Sequence, residues 1–292
     1  MIVTFGSINI DFVFTMETMP TPGQTLLART FRTEAGGKGA NQALAAARDG
    51  ADVCMVGAIG DDALADSAIQ NLSASGADIS RVSRLALPTG CASIFIDALG
   101  RNMIAIAPGA NLAAASDAVD DELLGKANIV LMQMENEPSE IEKLIRRVRQ
   151  ADKTSILNLA PAVRLDSEVL SLCDLIVVNE DEALALAGWL GCDPSAKAIS
   201  AALNTGVLRT LGAEGAEVFV DGEEARVAAV PVETVDTTAA GDCFIGVLAS
   251  ALDRGLRLEE AMQRAAVAAA IACSRAGSQT SIPDYKDTDA FR

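Results

Sequence analysis

The chain has 292 residues, half of them hydrophobic and 22% charged, which supplies a large core and excludes a disordered chain. Against 23 Lys and Arg stand 40 Asp and Glu; the resulting charge of −17 argues against nucleic acid or an anionic membrane surface as partner. No histidine is present, so Ser-His-Asp triads, Cys-His pairs and His-based zinc sites are excluded, and base chemistry falls to a carboxylate, a lysine or the single tyrosine.

Short apolar, β-branched runs alternate with segments of helical period along most of the chain. Ile2 to Ile8 reads as a strand, Gly39 to Asp49 as a helix, Asp52 to Ile59 as a strand and Asp61 to Ser75 as a helix. The strand Ile129 to Gln133 precedes a helix from Pro138 to Ala151, entered through proline with acidic residues in its first turn. Ser155 to Asn158, Leu175 to Val178 and Val207 to Leu211 are further strands, and Ala240 to Arg254 and Leu258 to Arg275 are helices. Repetition of strand and helix at this pitch predicts an α/β fold with a parallel sheet covered on both faces. Thr15 to Glu34 and Thr89 to Pro108 lack helical period and predict antiparallel strands outside that sheet, a small β lid inserted into one continuous domain.

Cys54, Cys91, Cys173, Cys192, Cys243 and Cys273 form no C-x-x-C pair and read as buried free thiols of a reducing compartment. The opening Met1-Ile2-Val3-Thr4-Phe5-Gly6 carries no basic leader, and no apolar run is long enough to span a membrane. A soluble, cytoplasmic protein is expected.

The richest motif is Asp236-Thr237-Thr238-Ala239-Ala240-Gly241-Asp242, between a strand-like Val230-Pro231-Val232 and an apolar helix. Small residues at the mouth of a helix admit a phosphate to unpaired N–H groups, and Asp242 in the first turn is placed to take a proton from an attacking hydroxyl. A plain acidic helix start explains the same residues about equally well. Gly36-Gly37-Lys38-Gly39-Ala40-Asn41-Gln42-Ala43 lacks P-loop and dinucleotide spacings; it suits either a backbone pressed against a compact polar ligand or an ordinary turn. Asn9 and Asp11 share one side of a strand end, where an amide beside a carboxylate suits the vicinal hydroxyls of a sugar and plain strand-end polar residues look the same. Asn179 and Glu182 follow an apolar strand, where ligands bind parallel sheets and where an acidic helix turn is equally at home. Thr210-Leu211-Gly212-Ala213-Glu214-Gly215 fits backbone lying along a nucleotide or a plain hairpin, and Glu135 ends another strand.

In this order the motifs closely resemble the ribokinase (PfkB-type) family of carbohydrate kinases, from Gly6 to Ser281. The resemblance implies a three-layer αβα sandwich with a mainly parallel central sheet, a β lid from insertions at about 12–35 and 89–108 within one domain of residues 1–292, and a homodimer with clasped lids. It further implies an ATP-dependent sugar kinase, with D-ribose converted to D-ribose 5-phosphate. Asn9, Asp11, Gly37, Lys38, Asn41 and Glu135 would hold the sugar. Asp242 would be the base, and Ala239, Ala240 and Gly241 the anion hole. Asn179 would touch the nucleotide phosphates and Glu182 would order Mg2+ and its waters; Thr210, Gly212, Gly215 and Gly241 would line the nucleotide. A monovalent cation, K+, would map to Asp236, Thr238, Ala272, Arg275, Gly277 and Ser281, several through backbone carbonyls. One departure is Ala266, where resembling proteins carry an asparagine near the adenine; losing that contact opens the nucleotide preference. Alternatives are a kinase of another sugar or a nucleoside, a catalytically silent sugar sensor, and an oxidoreductase, which the missing G-x-G-x-x-G disfavours.

Overall fold

The computed structural model describes residues 1–291, so residue 292 of the expected domain lies outside the described residues. In chain order the elements are β1 (Ile2–Phe5), β2 (Asn9–Thr15), β3 (Thr30–Gly36), α1 (Lys38–Arg48), β4 (Val53–Gly60), α2 (Ala65–Ala74), β5 (Asp78–Leu85), β6 (Gly90–Ile96), β7 (Asn102–Ala107), α3 (Asp121–Lys126), β8 (Ile129–Gln133) and α4 (Pro138–Gln150). They continue with β9 (Thr154–Asn158), α5 (Ser167–Leu170), β10 (Leu175–Val178), α6 (Glu180–Leu190), α7 (Ala196–Leu203), β11 (Gly206–Thr210), β12 (Ala216–Val220), β13 (Glu223–Val227), α8 (Ala240–Asp253), α9 (Leu258–Cys273) and α10 (Tyr285–Ala290).

The main sheet runs β13-β12-β11-β10-β9-β8-β1-β4-β5, parallel from β11 to β5 and closed at one edge by the antiparallel pair β12 and β13. Its inner strands are buried on both faces, as their unbroken apolar runs require. One core lies beneath α1, α2, α8 and α9, and the other beneath α3 to α7. In α4 the buried residues Ile141, Leu144, Ile145 and Val148 repeat at helical spacing and fix its inner face.

A second sheet has the order β3-β2-β6-β7. Here the structure corrects the expectation of purely antiparallel strands: β2 and β6, its central pair, run parallel. They are joined through β3, α1, β4, α2 and β5, so the pairing is set by that long return and not by a hairpin. Other expectations shift for local reasons. The strand expected over Ile2 to Ile8 breaks after Phe5, because Gly6-Ser7-Ile8 carries the chain from one sheet to the other. The helix expected from Asp61 begins at Ala65, since the Asp62 carboxylate accepts from Leu64 N and from Thr89 N and Oγ1. Val230-Pro231-Val232 is not a strand, and α9 ends at Cys273. Three of the six cysteines, Cys91, Cys192 and Cys273, are only partly buried.

Candidate active site

The site forms where the chain crosses between the sheets. Gly37 has φ 91°, and a Cβ there would lie 2.8 Å from Asn9 N; one on Gly39 would lie 2.5 Å from Ser7 N. Only glycine lets the start of α1 press onto this crossing, which sets Asn9 and Asp11 of β2 beside Lys38 and Asn41 of α1. Ser7 Oγ donates to Glu135 Oε2 (2.6 Å), and Lys38 N donates to the same oxygen (3.2 Å). Glu135, two residues past the end of β8, is thereby tied to α1. Asn9 Oδ1 accepts from Asn111 Nδ2 (2.7 Å), leaving the Asn9 amide nitrogen to donate elsewhere.

Asp11 is 7% exposed, and its carboxylate finds no protein donor among the described residues. Burial, then the negative charges of Glu135, Glu34 and Asp242, push it up to about 7. A buried acceptor without a partner suits a hydroxyl-bearing ligand. Burial alone would lower the Lys38 ammonium, but Asp242, Glu135, Glu182 and Asp11 surround it and hold it above the usual lysine value.

Asp242, at the start of α8, is buried, and Asn41 Nδ2 donates to its Oδ2 (3.0 Å) and Gln42 Nε2 to its Oδ1 (2.9 Å). The N-cap Ala239 has φ 59°, uncommon for a residue with a Cβ, and no side chain caps the helix. The Ala239, Gly241 and Asp242 amides find no acceptor among the described residues, whereas Ala240 N donates to Thr237 O (3.2 Å). A Cβ on Gly241 would meet nothing within 4 Å. A cavity of about 230 Å³ opens on this helix mouth, lined among others by Lys38, Asn158, Asn179, Glu182, Thr210 and Asp242. It offers an anion unpaired amides and a cation.

Across the cavity, Asn179 and Glu182 form a capping box: Asn179 Oδ1 accepts from Glu182 N and Glu182 Oε2 from Asn179 N, both 2.8 Å. These two residues start α6 and also line the cavity. Burial raises the Glu182 carboxyl, opposed by the Asn179 hydrogen bond and Lys38. Thr210 lines the cavity, but Gly212 and Gly215 do not. Gly215 is explained by packing, as a Cβ there would lie 2.0 Å from Val227 O. Ala266 is buried in the core on α9.

Asp236 Oδ1 accepts from Thr238 N (2.9 Å) and Oγ1 (2.6 Å), and its Oδ2 from Gly277 N (3.2 Å). Ser281 is buried, and Ser278 Oγ is buried with no partner among the described residues. The Ala272 carbonyl accepts from Arg275 N, and the Arg275 guanidinium pairs with Asp287, leaving that residue only its backbone for another ligand. A carboxylate, hydroxyls, carbonyls and an orphaned buried oxygen make a hard-oxygen set suited to an alkali cation. For Mg2+, Glu182 offers one carboxylate, a donor set that fits an ion keeping most of its waters and its other ligands on a polyphosphate. Among the described residues no three acidic or Cys side chains converge to chelate a metal by themselves.

Sequence reasoning missed several polar residues that build the site. Ser7 and Asn111 fix Glu135 and Asn9, as above. On β3, Glu34 accepts from Ser278 N (2.8 Å) and Arg32 lies 3.8 Å from Asp236, so the small sheet reaches the loops around Asp236. Gln133 and Asn158 each end an apolar parallel strand on its carboxyl side, a position that could have marked them.

The model of the "pfkB family carbohydrate kinase" matches residues 1–285. The chain is 35% identical over 298 residues to a ribokinase of Haemophilus influenzae, covering 99% of this chain and 97% of that one. A deoxyribokinase of Salmonella typhi is 33% identical, with 99% and 98% covered. Among solved structures, a ribokinase of Thermotoga maritima superposes with TM-score 0.91 at 34% identity, covering 99% and 98%. A ribokinase of Arabidopsis thaliana complexed with ribose and ATP gives 0.89 at 32%, covering 99% and 97%.

Proposed function

This chain belongs to the pfkB family of carbohydrate kinases, and from that premise we propose that it phosphorylates D-ribose at its primary hydroxyl with ATP, making D-ribose 5-phosphate. It is a sugar phosphotransferase of the ribokinase type; the choice of sugar and the residue roles are the proposal. The observation that carries them is the carboxylate of Asp242, at a helix mouth with unused amides and on the wall of a cavity that Asn179 and Glu182 of α6 also line.

Asn9, Asp11, Gly37, Lys38, Asn41 and Glu135 bind the sugar, with Asn9 and Asp11 spanning a vicinal diol. Asp242 accepts the proton of the primary hydroxyl as its oxygen forms the new bond to the γ-phosphorus; the bond to the bridging oxygen breaks and ADP leaves. The amides at 239, 241 and 242 and the Lys38 ammonium face the charge that gathers on the transferring group. The Ala240 amide contributes less, being turned to Thr237. Asn179 contacts the nucleotide phosphates, Thr210 lines the nucleotide, and Gly212 and Gly215 shape the loop beside it. Glu182 would hold Mg2+ through its waters, and the ion would supply charge neutralisation on the polyphosphate. Asp236 and Thr238, with oxygens from Ala272, Arg275, Gly277 and Ser281, would hold K+, which would supply positive charge to the site.

The small sheet is the lid of one domain and excludes water on closing, which limits ATP hydrolysis. Its exposed Phe31, Met103, Ile104 and Ile106 support a homodimer joined through the lids. Six free thiols support a cytoplasmic setting. Among the described residues no helix is long and apolar enough to cross a membrane. The test is ADP formation with ribose, 2-deoxyribose, fructose and adenosine as acceptors. Ribose should give the highest kcat/KM, at least about tenfold above 2-deoxyribose, which lacks one member of the diol. A higher value with 2-deoxyribose would transfer the assignment to that sugar, and no acceptor-dependent ADP would overturn it.

A further inference from the structure

We propose that Gln42 is a positioning residue of the phosphoryl transfer, aiming the Asp242 carboxylate through a buried chain of amides. The inference rests on Asp242 being the base. Gln42 is fully buried on α1, and a Cβ on Gly246 of α8 would lie 2.3 Å from Gln42 O, so the two helices touch at backbone distance here. Gln42 Nε2 donates to Asp242 Oδ1 (2.9 Å) and to Asn158 Oδ1 (3.0 Å), while its Oε1 accepts from Gln133 Nε2 (2.7 Å).

The direction of this chain follows from one backbone group. Val177 O can only accept, so Asn158 turns its Nδ2 to it (3.2 Å) and its Oδ1 to Gln42. Gln42 then faces two acceptors, Asn158 and Asp242, and must present its nitrogen. Its oxygen is left for Gln133. Reversing the Gln42 amide would set oxygen against oxygen at both contacts. The carboxylate is held from the other side by Asn41 Nδ2, whose own Oδ1 accepts from Gln279 Nε2 (3.1 Å). Two donors of fixed direction, one on each oxygen, leave the remaining lone pairs toward the cavity. Of the charges facing it, Lys38 of α1 would otherwise draw the carboxylate off that line, and Asp11 of β2 and Glu182 of α6 would push it off.

The experiment measures steady-state kinetics and thermal unfolding of Gln42→Met, Gln133→Leu and the double variant of the full chain, with Asp242→Ala beside them. Gln42→Met should lower kcat about 10- to 100-fold, the loss of one hydrogen bond to a charged group, with KM for sugar and ATP within about threefold of the parent. Gln133→Leu does not touch Asp242 but frees Gln42, and should lower kcat about 3- to 10-fold. The double variant should be no worse than Gln42→Met, because Gln133 acts only through Gln42. Parental kcat in Gln42→Met or in Gln133→Leu overturns the proposal, even where the melting temperature falls, and so does a double variant whose losses multiply. If Gln42→Met does not fold, Gln133→Leu decides alone. Full activity in Asp242→Ala would remove the base itself, and an inactive Asp242→Ala beside parental Gln variants would remove only the relay.

Discussion

Replacing Asp11 by asparagine should make the unliganded protein more stable while impairing it as an enzyme. The Asp11 carboxyl is pushed up from 3.8 to about 7, so the folded protein holds this proton more tightly than the unfolded chain does. The sign follows from that ordering: the penalty is absent below about pH 4, grows as the pH rises, and is complete by about 7. A rise of about three pH units corresponds to about 4 kcal/mol, and a side chain 7% exposed has little solvent to screen it. An asparagine at this position would carry no charge at any pH and would keep the shape. Urea unfolding without ligands should show Asp11→Asn more stable than the parent by about 4 kcal/mol at pH 8, and by about 2 kcal/mol at pH 5.5, where the native carboxyl is mostly protonated. In the same variant KM for the sugar should rise about 10- to 100-fold, the loss of a charged acceptor. Equal stability of the two proteins at pH 8, or a gain that does not change with pH, would refute the reasoning that Asp11 is held at a disadvantage for its ligand.

Gly241→Ala should leave the melting temperature unchanged or slightly raised, since alanine favours the helix by up to about 1 kcal/mol, yet lower kcat at least about tenfold by filling the space above the amides; unchanged turnover would move the phosphoryl site elsewhere. Ile104→Lys on the exposed strand β7 should convert a dimer to a monomer in light scattering; a monomeric parent would contradict assembly through the lids. Replacing K+ by tetramethylammonium should lower kcat in the parent and leave Asp236→Ala, already slow, unmoved; the same dependence in both would exclude the Asp236 loops as the cation site.

The parallel sheet was legible because its inner strands are buried on both sides. The apolar runs Ile129 to Gln133 and Leu175 to Val178 coincide with β8 and β10 residue for residue. The edges were not. β5 carries Arg81 and Arg84 and β13 carries Glu223 and Glu224, because an edge strand faces water and loses the apolar signature. Pro231 sits in an apolar triplet that looks like a strand but has no N–H to pair. The parallel contact of β2 with β6 joins residues far apart in sequence, which no local pattern encodes. At the site, Asp242, Asn41, Lys38 and Glu182 could be picked out, since glycines and helix starts mark them. Gln42 does not stand out within its motif: in an alanine-rich helix one polar side chain carries no sign of the two amides and the carboxylate it meets on three other elements.

As the proposed base, the Asp242 carboxylate takes the proton of the sugar alcohol. The direct measurement is single-turnover ADP formation by Asp242→Ala with saturating ribose and ATP, alongside ATP binding by calorimetry. The rate should fall about 10²- to 10⁴-fold while ATP affinity stays within a few-fold of the parent. A rate within threefold of the parent would contradict it.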